Sequence, residues 1–348
     1  MHALLLLLLA PSIQATPMYT VYDLGARTNA APLGLSSDGQ YAVGGQTSWI
    51  WTQSTGFQNL STLTGGSWQE ARGVTSSGVA AGYSSSPAHT LHWDGSTLTA
   101  TAFGGTTSNA FGINNAGVMV GSSFSPQSHL YRWDAVNGIA ELRSEISGGW
   151  GINDSGDATG FYLNGSGQQE AIAVTGSISV GGTLTPLGQL SGGTFSRGRS
   201  INDSQEVAGE AFDASGNRVP VLWLTPGSPA QLAQLGRTNG IASGINDSGL
   251  VVGTVYGGLA AAAVLWDAGT GFTLDSRILS NPGWQVFDAV AINDAGQILA
   301  SARINGVEHV IRLDPILTAD SPEPSTLLVV SLALGIGLYY STSLRRSR

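Results

Sequence analysis

Between Tyr19 and Pro315, short apolar runs alternate with turns rich in Gly, Ser, Asn and Asp, which predicts many short strands joined by tight turns. One six-residue phrase organises them. It reads GLSSDG from Gly34, GVTSSG from Gly73, GINNAG from Gly112 and GINDSG from Gly151, then SINDSQ from Ser200, GINDSG from Gly244 and AINDAG from Ala291. The starts lie 39, 39, 39, 49, 44 and 47 residues apart, a period that marks a repeat architecture. After each phrase comes an apolar run ending in Gly, Ala or Ser ("YAVGG", "VAAG", "VMVG", "DATG", "EVAG", "LVVG", "ILAS"). A second run follows and usually ends in Trp ("SWIWT", "TLHWD", "LYRWD", "PVLWL", "AVLWD"), which copies four and seven replace with "AIAVT" and "VIRLD". A leucine pair then recurs, as Leu60 with Leu63, Leu184 with Leu187 and Leu232 with Leu235. With the stretch that leads into the phrase, each unit offers four strands.

The phrase itself has the chemistry of a turn. Its Ile points to a core, its Asn and Asp bond nearby backbone amides, and its closing Gly supplies a positive φ. A calcium loop needs several carboxylates at alternating positions, whereas "NDSG" has one and "TSSG" none. Copy five departs from the pattern, with Gln205 in the place of the glycine.

Four strands in roughly 40 to 50 residues fit one blade of a β-propeller. The seventh unit ends at "EHVIRLDP" without a leucine strand, and the N-terminus supplies one in "YTVYDLG", Tyr19 to Gly25. We therefore expect an all-β, seven-bladed β-propeller over residues 16–318, closed by its first strand. The alternative is an open β-solenoid capped by that strand.

Composition narrows the function. The formal charge is -9, and all 14 basic residues are Arg, three of them within the last four positions. Nucleic acid binding needs clustered Lys and Arg, so a nucleic acid partner is not expected. Cysteine is absent, which excludes disulfides, thiolate metal sites and a cysteine nucleophile.

Both ends depart from the repeat. Residues 1–15, "MHALLLLLLAPSIQA", have the apolar core and small-residue end of a signal peptide. Residues 319–348 carry Pro322-Glu323-Pro324, an uncharged stretch from Leu327 to Leu344, and then Arg345, Arg346 and Arg348. A helix over that stretch rises about 27 Å, close to the thickness of a hydrocarbon core. The positive-inside rule keeps its arginines in the cytoplasm and the repeats on the other side of the membrane.

The order of motif, apolar helix and basic tail resembles the PEP-CTERM sorting signal of exported bacterial proteins. That resemblance covers about the last 28 residues. It implies a Gram-negative envelope, recognition by an exosortase near the PEP motif, and release to the cell surface or matrix after processing. The repeat unit resembles the HAF family of extracellular repeats, whose consensus includes Ala-x-Gly-Ile-Asn-(Asn/Asp)-x-Gly-x-Val-Val-Gly; copies three, four and six match it best. That second resemblance implies export and repetition without an assigned activity.

Candidate chemistry is sparse. His89 and His92 in "HTLHWD" fall on opposite faces of a strand, so no metal site is expected there. No GxSxG, HExxH or phosphate-binding loop occurs, no cofactor is implied, and no catalytic residue is assigned. Glu141 and Glu145 are the carboxylates to consider for a glycosidase. Copies four to six carry extra length in Leu163 to Glu170 and Thr175 to Thr183, near Arg197 and Arg199 of "FSRGRS". These are the places to look for an acidic polysaccharide. Two function classes follow: a non-catalytic surface or matrix protein that binds polysaccharide or protein, and an exported propeller lyase or hydrolase.

Overall fold

The computed structural model describes residues 16–26, 31–60, 68–85, 88–95, 97–101, 107–124, 127–141, 147–176, 182–224 and 226–316. The expected signal peptide, sorting motif, C-terminal helix and basic tail lie outside them. Among the described residues no helix is long and apolar enough to cross a membrane.

Seven antiparallel sheets of four strands make up the repeat region, so the chain is a seven-bladed propeller rather than a solenoid. Six blades follow chain order. In blade 6, for example, Asn239–Ile245, Val251–Gly257, Leu259–Asp267 and Thr270–Thr273 pair in succession. The seventh is completed from the other end of the chain: Tyr19–Ala26 pairs antiparallel with Val307–Pro315, which joins the termini and covers an edge. This is the closure expected from "YTVYDLG".

The repeated Leu and Trp now have a physical reason. The Trp that ends a third strand packs on the preceding blade, next to the Leu that follows or ends that blade's fourth strand. Trp93 shares an apolar cluster with Leu60, Trp223 with Leu187, and Trp266 with Leu232. Leu24 of the closing strand does the same for Trp51 of blade 1. Leu60, Leu187 and Leu232 each lie one residue past their outer strands, and their N–H groups still donate to the third-strand side at 2.8 to 2.9 Å. Burying one such aromatic removes a large apolar area from water, and every blade except 4 and 7 brings one.

Six of the seven phrase turns place glycine at positive φ, including Gly156 (87°) and Gly249 (77°). Copy five puts Gln205 at φ 64° instead and anchors its amide on Asp157 at 2.9 Å. The asparagine does more than serve its own turn. Asn246 Oδ1 accepts the Leu250 N–H at 3.0 Å, while its Nδ2 donates across the joint to the Asn293 carbonyl at 3.1 Å. Asn114, Asn153 and Asn202 repeat that reach to the next blade, and Asn293 extends it to the Ser36 carbonyl of blade 1. All five are buried. The next residue works in the opposite direction. Asp154, Asp203, Asp247 and Asp294 each accept a backbone N–H from the preceding blade's turn. In blades 1 and 2, Ser36 and Thr75 stand where the asparagine would be.

Two measurements test this frame. Deleting residues 16–25 should cost several kcal/mol and lower the melting temperature clearly, because it strips the closing strand from blade 7; an unchanged melting point would refute the closure. In the turn, Gly249→Ala should cost about 1–2 kcal/mol from backbone strain alone, since the nearest atom to an added Cβ is Glu206 Oε2 at 3.6 Å. The sequence alone suggests a cost for Asn246→Ala on the order of 1 kcal/mol. Loss of the cross-joint bond, together with the Leu250 N–H left without its acceptor, raises this to about 2–3 kcal/mol, and urea unfolding of both variants gives the comparison.

Candidate functional site

The seven first strands surround the axis, and their two ends differ. At the turn end, the phrase isoleucines, asparagines and aspartates of the blades line a funnel of about 180 Å³. Its carboxylates belong to the inter-blade bonding just described. Burial pushes the Asp294 carboxyl above the ordinary range, against the pull of the Asp247 N–H, and Asp247, Asp154 and Asp203 add to the rise. Among the described residues, no group of three or more His, Asp or Glu is placed to hold a metal ion.

Away from the turns, the wall is built on a repeated irregularity. Every first strand has a bulge one residue before the phrase begins, where the register with the second strand slips. The extra residues are Leu33, Arg72, Phe111, Trp150, Arg199, Ser243 and Val290. A bulge re-aims a side chain without breaking the sheet. The framework is therefore repeated and the residue it presents is not.

On blades 2 to 5 these residues stack into an arc. Phe111 lies flat on Trp150, with ring centroids 4.6 Å apart and planes 8° apart. The Arg199 and Arg197 guanidiniums lie 4.9 and 4.8 Å from the Trp150 ring centre. On the other flank, the Arg72 guanidinium lies 5.4 Å from Phe111 and pairs with Glu70 at 2.6 Å. Glu70 also accepts the Trp68 indole N–H at 2.9 Å. Cation–π contacts of this kind strengthen as they are desolvated.

Three arginines converge on a single carboxylate. Glu210 is 0% exposed and meets Arg199 at 3.0 Å, Arg218 at 3.4 Å and Arg197 at 3.7 Å. Arg197 also donates to Gln169 Oε1 at 2.8 Å, which ties the hairpin at Leu163 to Glu170 to the cluster. Burial holds the Arg197 guanidinium below its usual value, with Glu210 opposing that shift. Asp288 on blade 7 is half-buried, and desolvation raises it above the ordinary carboxylate range; the Thr254 hydroxyl and the field of Arg199 pull the other way.

Of the residues singled out from sequence, Arg197 and Arg199 do sit in a shared cluster, and the hairpin at Leu163 to Glu170 abuts it. The other long segment, Thr175 to Thr183, lies partly outside the described residues and runs between the third and fourth strands of blade 4, at the turn end. Glu141 belongs to the outer strand of blade 3, paired with His129 at 2.9 Å, and Glu145 lies outside the described residues. His89 and His92 take opposite faces of Ala88–Asp94, and burial lowers the pKa of His92. The sequence reading missed Arg72, Phe111 and Trp150. The available signal was the residue just before each phrase, which differs from copy to copy in an otherwise repeated frame.

The chain's similarity to solved structures is one of fold. The β-propeller domain of the Trilobed protease from Pyrococcus furiosus matches at 10% identity and a TM-score of 0.50, over 88% of this chain and 100% of that one. That domain is described as having an open velcro topology, whereas here the first strand closes the ring. TolB from Acinetobacter baumannii matches at 11% identity and a TM-score of 0.42, over 83% of this chain, which spans 55% of TolB. No protein-family model matches the chain, and neither does any curated protein.

The shift at Asp288 gives a pH test. A carboxyl whose folded-state pKa is raised binds its proton more tightly in the native state than in the unfolded chain. Its ionisation therefore subtracts stability above the raised value, and that loss is recovered as pH falls towards about 3.9. Asp288→Asn should melt higher than the parent at pH 7, and the gap should close in acid. A gap independent of pH would mean that Asp288 is not the titrating group.

Proposed function

We propose that this chain is an exported, non-catalytic cell-surface or extracellular-matrix protein whose propeller binds polysaccharide along the Arg–aromatic arc. The observation that carries the reading is the convergence of Arg197, Arg199 and Arg218 beside Trp150, in a chain whose formal charge is -9. Flat aromatic surface combined with fixed hydrogen-bond donors suits sugar rings and their substituents. A binding role is favoured over a lyase or hydrolase because both carboxylates of the arc are committed and the nearby Asp288 is held by the Thr254 hydroxyl. Glu70 holds Arg72 and Trp68, and Glu210 lies beneath three arginines. A general acid or base needs a free, suitably poised carboxyl.

Export is supported by the apolar N-terminal segment and by the tail, in which Pro322-Glu323-Pro324, an apolar span and Arg345, Arg346 and Arg348 follow in order. In this reading the tail holds the repeats on the non-cytoplasmic face until an exosortase removes it. The full-length protein, extracted from membranes and applied to a glycan array, should retain a defined set of polysaccharides; retention of none would end the proposal. Mature surface protein should lack the segment from about Leu327 onward, and a mass spectrum showing an intact "LRRSR" terminus would leave a permanently anchored propeller instead.

A further inference from the structure

We infer that the cluster around Glu210 is an anion clamp that selects polysaccharides bearing carboxylates over neutral ones; this rests on the glycan-binding reading above. The argument begins with charge. Arg197, Arg199 and Arg218 face one carboxylate, and even with Asp288 ionised the arginines outnumber the acids. Their side chains are 18%, 21% and 39% exposed, so the excess charge is partly withdrawn from water yet open on one side. A charge in that setting is costly unless a counter-charge reaches it.

Geometry points the same way. Charge-assisted N–H to carboxylate bonds settle near 2.7–2.9 Å, yet the ion-pair distances to Glu210 are 3.0, 3.4 and 3.7 Å. Arg199 directs both Nε and Nη2 at the same oxygen, Oε1, at 3.2 and 3.0 Å, instead of straddling the two oxygens of the carboxylate. Arg197 Nε and Glu210 Oε2 are both buried without a hydrogen-bond partner, Oε2 having Arg218 Nε only at ion-pair range, 3.4 Å. One internal carboxylate thus serves three forks loosely and leaves donors for a second oxyanion. The stacked Phe111 and Trp150 hold the arginine planes from the side, so the forks are ordered before a ligand arrives. Glu210 acts as the resident competitor of the ligand carboxylate.

The clamp predicts effects of opposite sign. With full-length protein, polygalacturonate is the acidic probe and dextran the neutral one. Arg218→Gln, at the most exposed of the three positions, should weaken polygalacturonate binding by about fivefold with little change in melting temperature. Glu210→Gln, which frees the arginines, should tighten it by a similar factor, and polygalacturonate should raise that variant's melting temperature more than it raises the parent's. If Glu210→Gln does not fold, Arg218→Gln decides alone. Dextran bound as tightly as polygalacturonate, or acidic polymer binding unchanged in Arg218→Gln, overturns the clamp and leaves a neutral-glycan propeller standing. A protein that retains no glycan at all removes the broader reading with it.

Discussion

The ring depends on one side-chain amide used at both ends. The oxygen of each phrase asparagine closes its own turn, and the nitrogen takes a carbonyl of the next blade. Apolar faces alone would hold neighbouring sheets together without fixing the angle between them, because burial has no direction. A hydrogen bond to a buried carbonyl does have one, and because each of these carbonyls also accepts an N–H of its own turn, the bond ties one turn to the next. Repeated from Asn114 round to Asn293, the bond sets blade spacing at the turn end, while Leu–Trp contacts fill the joints of blades 7 and 1, 1 and 2, 4 and 5, and 5 and 6.

Much of this frame was legible in the sequence, because its causes are local. A period of 39 to 49 residues, turn glycines and a terminal Trp are all set within one unit. The surplus strand at Tyr19 was legible for the same reason, since Leu24 occupies the place that Leu60 and Leu232 hold elsewhere. What escaped was every interaction whose partner lies in another unit. The phrase aspartates read as turn residues, yet their oxygens serve the blade before their own. Gln205 read as a lapse, whereas a left-handed backbone and a bond to Asp157 on the neighbouring blade accommodate it.

The candidate site was half visible for a related reason. Arg197 and Arg199 attracted notice as a charge cluster in a sparsely charged chain. Their aromatic partners did not, because Phe111 and Trp150 are 39 residues apart in sequence and meet only when blades 3 and 4 are stacked. The bulge explains why this variation costs the fold little. It lies outside the regular ladder, so its side chain is free to differ between units while the flanking Ala, Gly and phrase residues keep the sheets in register.

The substitutions at Ser36 and Thr75 give the circle a seam. Neither residue has a carboxamide to span a joint, and Ser37 and Ser76 next to them have neither a carboxyl nor a carboxamide. Between blades 1 and 2 no phrase asparagine reaches across, and the apolar contact of Val43, Leu60 and Trp93 packs the joint. The chain ends, where a circular fold would be expected to separate, are fastened by seven paired positions and by Asn293 reaching blade 1. The asparagine bond therefore runs across the closure, from blade 7 to blade 1, and lapses at the joint that follows it. The series of cross-joint asparagines thus starts at blade 3 and ends on blade 1, out of step with the order of the chain.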